Sequence, residues 1–230
     1  MRIYLDTGNV EEIRKAAATG MLSGVTTNPT LIAKEGRDFK TVIKEIVGIL
    51  KRYGDDFTVS AEVNSTDWAG MLKEGIGYAA WDKHIIVKLP MTQDGIIAAQ
   101  AFKRKRIRTN ITLCFSPNQA LLAAKAGAFV VSPFVGRVDD AGGDGMESVR
   151  EMRKIFDNYQ FETQILVASV RHPKHVRDAA LAGADIATIP YKVFEQLFTH
   201  PLTDKGLAQF QADYKDYQAH LDANMRSAHR

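Results

Sequence analysis

The stretch Ala182-Gly183-Ala184-Asp185-Ile186-Ala187-Thr188-Ile189-Pro190 compresses a complete structural transition. Gly183 suits the left-handed cap that stops a helix, a short β-rich run follows, and Pro190 stands where strand pairing has to end. Ala126-Gly127-Ala128-Phe129-Val130-Val131-Ser132-Pro133 repeats the scheme, and Gly20 to Pro29 follows it less closely. A chain assembled from such units alternates helix and strand.

Working outward, the same alternation runs from one end to the other. Candidate strands are Arg2–Leu5, Gly24–Thr26, Thr58–Val63, His84–Leu89, Arg108–Leu113, Phe129–Ser132, Gln164–Ala168 and Asp185–Ile189. Most are near-continuous apolar runs, the pattern of parallel strands covered on both faces. Between them apolar residues recur at helical spacing, as in Phe39, Val42, Ile43, Ile46, Val47 and Leu50. Ser116-Pro117 and His172-Pro173 place proline at a first helical position, where its missing N–H costs nothing. Strict alternation with eight strands predicts one closed (β/α)8 barrel, the TIM-barrel architecture, rather than an open sheet. The 230 residues allow about 29 per βα unit, and a typical barrel takes roughly 250, so a single α/β domain over residues 1–221 uses the chain. Tyr191–Thr199 reads as the last barrel helix, Thr203–Leu221 as an additional C-terminal helix, and residues 222–230 as a frayed tail.

Composition bounds the function. Thirty Lys and Arg against 27 Asp and Glu leave a net charge of +3, too small a surplus to call for nucleic acid or a membrane surface as partner. The one cysteine, Cys114, excludes an intrachain disulfide and suits a reducing, cytoplasmic location. No apolar stretch approaches the ~20 residues of a membrane span.

In a barrel of this kind chemistry collects at the C-terminal strand ends. Those ends deliver Asp6, Asn28, Glu62, Lys88, Asn110 with Thr112, Ser132 and Ser169. Lys88 stands out, because Ile85-Ile86-Val87-Lys88-Leu89-Pro90 is otherwise an apolar central strand. Burial disfavours an ammonium and favours the neutral amine that attacks a carbonyl; the competing reading is a lysine merely ion-paired with Asp6 or Glu62. The two acids are candidate proton-transfer groups, or charge compensation for the lysine. Asn28, Asn110 and Thr112 suit the hydroxyls of a polyol, although Asn28-Pro29 is equally a good helix start. Arg137 and Arg171, following the sixth and seventh strands, suit a phosphate, which barrels commonly hold near strands seven and eight.

Other signals lead elsewhere. The run Lys103-Arg104-Lys105-Arg106 lacks interleaved aromatics and falls at a helix end, where cations suit the dipole, so no nucleic-acid site is expected. His172 and His175 lack a third ligand, and Asp139-Asp140 with Gly142-Gly143-Asp144-Gly145 does not match a calcium loop. No glycine-rich phosphate-cradling motif occurs, and no cofactor is expected. Cys114 reads as packing.

Six blocks in order carry a family resemblance: Tyr4-Leu5-Asp6-Thr7, Gly24-Val25-Thr26-Thr27-Asn28-Pro29-Thr30, Val87-Lys88-Leu89-Pro90-Met91-Thr92, Thr109-Asn110-Ile111-Thr112-Leu113, Ser132-Pro133-Phe134-Val135-Gly136-Arg137 and Ile165-Leu166-Val167-Ala168-Ser169-Val170-Arg171. The sequence resembles the short-chain transaldolase family and its relatives, the bacterial fructose-6-phosphate aldolases. The resemblance implies a metal-free Schiff base on Lys88, with Asp6 moving the proton of the substrate C4 hydroxyl. It implies Glu62 and Thr112 working through a water, and Asn28, Asn110 and Ser169 around the dihydroxyacetone fragment. Arg137 and Arg171 would then grip phosphate, with Ser132 on the site floor. The aldolases usually carry Gln at the position of Glu62 and Tyr at that of Phe134. This chain therefore resembles the transferring type, which moves a dihydroxyacetone unit between sugar phosphates in the pentose phosphate pathway, and cleavage to free dihydroxyacetone is the alternative. Relatives form pentamers, often paired as decamers, which implies a homo-oligomer. Arg106 stands in a turn where relatives often have Gly.

Overall fold

The computed structural model describes residues 1–228, with eight strands and eleven helices among them. In chain order these are β1 (Arg2–Asp6), α1 (Val10–Ala17), β2 (Leu22–Thr26), α2 (Pro29–Glu35), α3 (Phe39–Leu50), β3 (Thr58–Glu62), α4 (Trp68–Ala79), β4 (Ile85–Pro90), α5 (Gln93–Arg104), β5 (Thr109–Cys114), α6 (Pro117–Ala126), β6 (Val130–Pro133), α7 (Val135–Asp140), α8 (Gly145–Tyr159), β7 (Gln164–Val167), α9 (Pro173–Leu181), β8 (Ile186–Ile189), α10 (Tyr191–Gln196) and α11 (Pro201–Ala228). All eight strands pair in parallel with their sequence neighbours, and β8 returns to β1, closing the predicted barrel.

Local chemistry sets the helix starts. Asn9, Asp38, Asp67, Thr92, Ser116, Asp144 and His172 each sit at an N-cap and accept a backbone N–H from the first turn. Along each strand, side chains alternate. Leu5, Val25, Val59, Ala61, Val87, Leu89, Ile111, Val131, Ile165, Val167, Ala187 and Ile189 join the apolar layer between sheet and helices. Their neighbours point into the barrel, where Tyr4, Val130, Leu166 and Ile186 pack together. The Tyr4 hydroxyl reaches Thr58 Oγ1 at 2.8 Å, and Gly24 leaves room for its ring, since a Cβ there would lie 2.6 Å from it.

Register decides what stands beside what. Glu62 on β3 is opposite Lys88 on β4, and Lys88 is opposite Asn110 on β5, so three candidate residues share one level.

Residues 1–194 form one compact unit and those from Glu195 a second, with α10 crossing the division. The additional C-terminal helix starts at Pro201 and runs past the expected end at Leu221 to Ala228. No glycine or proline follows Leu221 to stop it, so the expected frayed tail continues as helix; residues 229 and 230 lie outside the described residues. Leu207, Phe210, Tyr214, Tyr217 and Leu221 are exposed along α11 at alternating spacings of three and four. That spacing places them on one face of a helix.

Candidate active site

Lys88 is only 4% exposed. Its Nζ lies 2.8 Å from Glu62 Oε2 and donates to the Thr27 carbonyl at 2.9 Å. The lysine is thus buried, as the sequence suggests, and is also ion-paired with Glu62. Three strands make the arrangement: β4 presents the amine, β3 the carboxylate, and the exit of β2 the carbonyl.

Across the barrel mouth, Asp6 ends β1. Thr26 Oγ1 donates to Asp6 Oδ1 at 2.7 Å, and since that hydroxyl has one proton, it accepts from Thr188 Oγ1, also at 2.7 Å. A chain of hydroxyls from β8 through β2 thereby fixes the carboxylate, and its bonds reinforce one another.

Asn110 is held from two sides. Its Oδ1 accepts from Ser132 Oγ at 2.7 Å and its Nδ2 donates to Ser60 Oγ at 3.1 Å. Fully buried, it stands behind Ser132 rather than on the cavity wall. Thr112 Oγ1 is buried without a hydrogen-bond partner among the described residues, and Thr112 lines the cavity. Asn28 serves as the cap of α2, its Oδ1 accepting from Leu31 N at 2.9 Å, and it lines the cavity as well.

The cavity over these groups has a volume of about 210 Å³ and takes in Asp6, Asn28, Lys88, Thr112, Ser132, Phe134, Arg137, Ser169 and Arg171. An adjoining space of about 460 Å³ shares Lys88 and the two arginines and is bordered by Glu62. The candidate residues from seven strand ends therefore converge, with Asn110 alone set behind the wall. Arg137 lies on the short helix α7 rather than in a loop, its guanidinium 5.0 Å from the Phe134 ring centre. Arg171 pairs with Asp140 at 2.7 Å. Ser169 turns the chain with φ of 60°, in the left-handed region.

Cys114 and the basic helix end behave as the sequence suggests. Burial pushes the Cys114 thiol up to about 11, against a smaller opposing effect of its bond to the Ser116 carbonyl, so a nucleophilic thiolate is disfavoured. Lys103 and Arg104 end α5 on its exposed C-terminal turn. The supporting hydroxyls of Thr26, Ser60 and Thr188 were not singled out from sequence. Period-two alternation from Glu62 and Asp6 would have placed Ser60 inside the barrel, but only closure brings Thr188 to Thr26.

The transaldolase/fructose-6-phosphate aldolase family model matches residues 3–229. The chain belongs to that family. A probable transaldolase of Aquifex aeolicus is 56% identical over 94% of this chain and 97% of its own length. Another, from Roseiflexus sp., is 54% identical over 95% of this chain and 99% of its own. These similarities support a transaldolase-type activity. Among solved structures, a thiamine phosphate pyrophosphorylase from Pyrococcus furiosus superposes with a TM-score of 0.57 at 18% identity, covering 82% of this chain and 85% of that one. That likeness concerns the barrel alone.

Proposed function

We propose that this protein is a transaldolase acting through a Schiff base on Lys88. It moves a dihydroxyacetone unit from sedoheptulose 7-phosphate or fructose 6-phosphate to glyceraldehyde 3-phosphate or erythrose 4-phosphate, a reaction of the pentose phosphate pathway. The observation that carries this reading is the buried Lys88 amine, 2.8 Å from Glu62, in a cavity that also contains Asp6 and two guanidiniums.

The amine must lose its proton before it can attack, and Glu62 is close enough to take it. Lys88 Nζ adds to the C2 ketone, and loss of the carbinolamine hydroxyl as water gives the iminium. Asp6 then removes the proton of the C4 hydroxyl. The C3–C4 bond breaks, its electron pair passes into the enamine, and the aldose phosphate leaves. The acceptor aldehyde takes the reverse course: C3 attacks its carbonyl carbon and Asp6 returns the proton to the new hydroxyl. Water, held by Glu62 and by the unpartnered Thr112 hydroxyl, hydrolyses the imine. Asn28, Ser132 and Ser169 bind hydroxyls of the retained fragment, and Asn110 orients Ser132. Arg137 and Arg171 hold the phosphate by charge-assisted hydrogen bonds.

Glu62 and Phe134 favour transfer over cleavage. A phenylalanine offers no proton to the carbanion, so the fragment waits for an acceptor. The exposed apolar face of α11 is suited to meeting a second copy in a homo-oligomer of a cytoplasmic enzyme.

Borohydride reduction in the presence of fructose 6-phosphate should leave a covalent adduct on Lys88, located by peptide mass. An adduct on a different lysine, or none in active protein, would overturn the mechanism.

A further inference from the structure

The two candidate phosphate arginines sit on different segments, Arg137 on α7 and Arg171 beyond β7. Side chains outside the site hold those segments together. Asp139, two residues after Arg137, places Oδ2 2.8 Å from His175 Nε2, while its Oδ1 accepts from Gly145 N at 2.8 Å. The other face of the same imidazole meets the phosphate segment: His175 Nδ1 accepts the backbone N–H of Arg171 at 3.3 Å.

These contacts define the tautomer. A nitrogen that accepts carries no proton, so the ring proton is on Nε2, the nitrogen that lies 2.8 Å from the Asp139 carboxylate. The ring is buried, at 5% exposure, on the first turns of α9. Burial, and then the neighbouring His172, hold its proton affinity below that of an ordinary histidine; Asp139 and Asp178 oppose them less strongly. The neutral form is the one the geometry requires, because an imidazolium has no lone pair for the Arg171 N–H.

We propose that His175, oriented by Asp139, is a positioning residue that fixes the main chain of Arg171 and so sets selectivity for phosphorylated over unphosphorylated sugars. The proposal rests on the reading of Arg137 and Arg171 as the phosphate grip. The histidine touches no substrate and acts through the arginine. The arrangement gives the pair His172 and His175 a use that their spacing alone does not suggest. His172 caps α9, and its Nδ1 accepts the His175 N–H at 3.3 Å. His175 thereby links α9, α7 and the Arg171 turn.

The test compares kcat/KM for fructose 6-phosphate with that for fructose as donor, at fixed erythrose 4-phosphate, in the full-length protein. In His175→Gln the amide occupies the Nε2 side and the acceptor for Arg171 is gone; in His175→Asn an amide oxygen replaces Nδ1. The selectivity ratio should fall up to about ten-fold in His175→Gln, the upper end for the loss of one hydrogen bond, and should stay within about three-fold of wild type in His175→Asn. Asp139→Asn keeps the histidine while weakening its orientation, and should give an intermediate fall, which keeps the test open if His175→Gln does not fold. Equal falls in the Gln and Asn variants, or a wild-type ratio in His175→Gln, would overturn the positioning role alone. A wild-type enzyme that does not distinguish the two donors would overturn the phosphate grip itself, and a Lys88 adduct formed in either case leaves the Schiff-base reading standing.

Discussion

Gly136→Ala is the smallest change that tests whether the site depends on the seam between α7 and the segment after β7. An added Cβ would lie 2.0 Å from the Ser169 carbonyl oxygen and 2.9 Å from Arg171 Cγ and Nε. Ordinary van der Waals contact begins at 3.4 Å, so the seam has to open by about 1.4 Å. The obstructing atom is backbone, which cannot swing aside as a side-chain end does. Gly136 is absent from the positive-φ positions, so the need is for space rather than for an unusual conformation. Overpacking of this kind costs about 1–3 kcal/mol, and a backbone obstacle argues for the upper end. Alanine returns about 1 kcal/mol through helix propensity, which leaves a net loss of about 2 kcal/mol. For a chain of this size that lowers Tm by about 4–8 °C. The catalytic effect should be larger, since a displacement of about 1 Å costs on the order of 100-fold when it reaches a substrate-positioning group. Thermal unfolding and steady-state kinetics on the same preparation separate the two. Wild-type Tm and kcat/KM would refute the close approach. A lowered Tm with unchanged kinetics would show that the seam is structural and that the arginine spacing does not depend on it.

Glu62→Gln combined with Phe134→Tyr should raise release of free dihydroxyacetone relative to transfer onto erythrose 4-phosphate, measured side by side; an unchanged ratio would show that these positions do not set the outcome. Phe210→Glu with Tyr217→Glu on α11 should reduce the sedimentation coefficient if that face joins copies of the chain, and an unchanged value would remove it from any interface. Asp82 offers a stability prediction away from the site. Burial pushes its carboxyl up, but Lys51 and the backbone and ring of His84 outweigh it, bringing the group down to about 2. Its folded value is depressed, so its contribution is present above about pH 4, the unfolded range, and is lost as pH falls through about 2. Asp82→Asn should therefore be less stable than wild type at pH 6, with the gap closing on acidification; a gap constant from pH 6 to pH 2 would contradict the pairing.

Most of the barrel was legible because its strands are short apolar runs bracketed by glycine and proline, signals that need no tertiary information. Asp6, Glu62 and Lys88 were legible for the converse reason: a charge at the end of an apolar strand has little cause to be there except chemistry or pairing. α7 was not. Its six residues follow Phe134, which supplies no capping bond, so nothing local distinguishes the helix from a loop. Asn110 suited a polyol hydroxyl by its strand-end position, and only closure of the barrel shows it bonded to Ser60 and Ser132. Arg106 is instructive in another way. Its φ of 58° explains why a glycine suits that turn, and why an arginine there is a strained choice. The Asp139–His175 contact joins residues on separate helices, and period and propensity carry no trace of it.

The two ends of the cavity are built to different tolerances. Glu62 and Lys88 are paired across adjacent strands in the ladder, and Asp6 is held by hydroxyls of β2 and β8. To move any of them the barrel itself must deform, which under the proposed function suits groups that would meet the same three carbons of dihydroxyacetone in every turnover. The arginines hang on short segments beyond β6 and β7, joined by side-chain bonds. The donors and acceptors of the proposed reaction share a terminal phosphate but differ in the length of carbon chain between it and the reacting atom. A phosphate grip attached to the ladder would fit one length only. On the proposed reading, placing it on α7 and the Arg171 turn, and locking those two to each other through Asp139 and His175, would let the grip follow the phosphate while the guanidiniums keep a fixed spacing. On this argument, loosening the lock should weaken all phosphorylated substrates together, whereas a change on the ladder should stop bond making whatever the chain length.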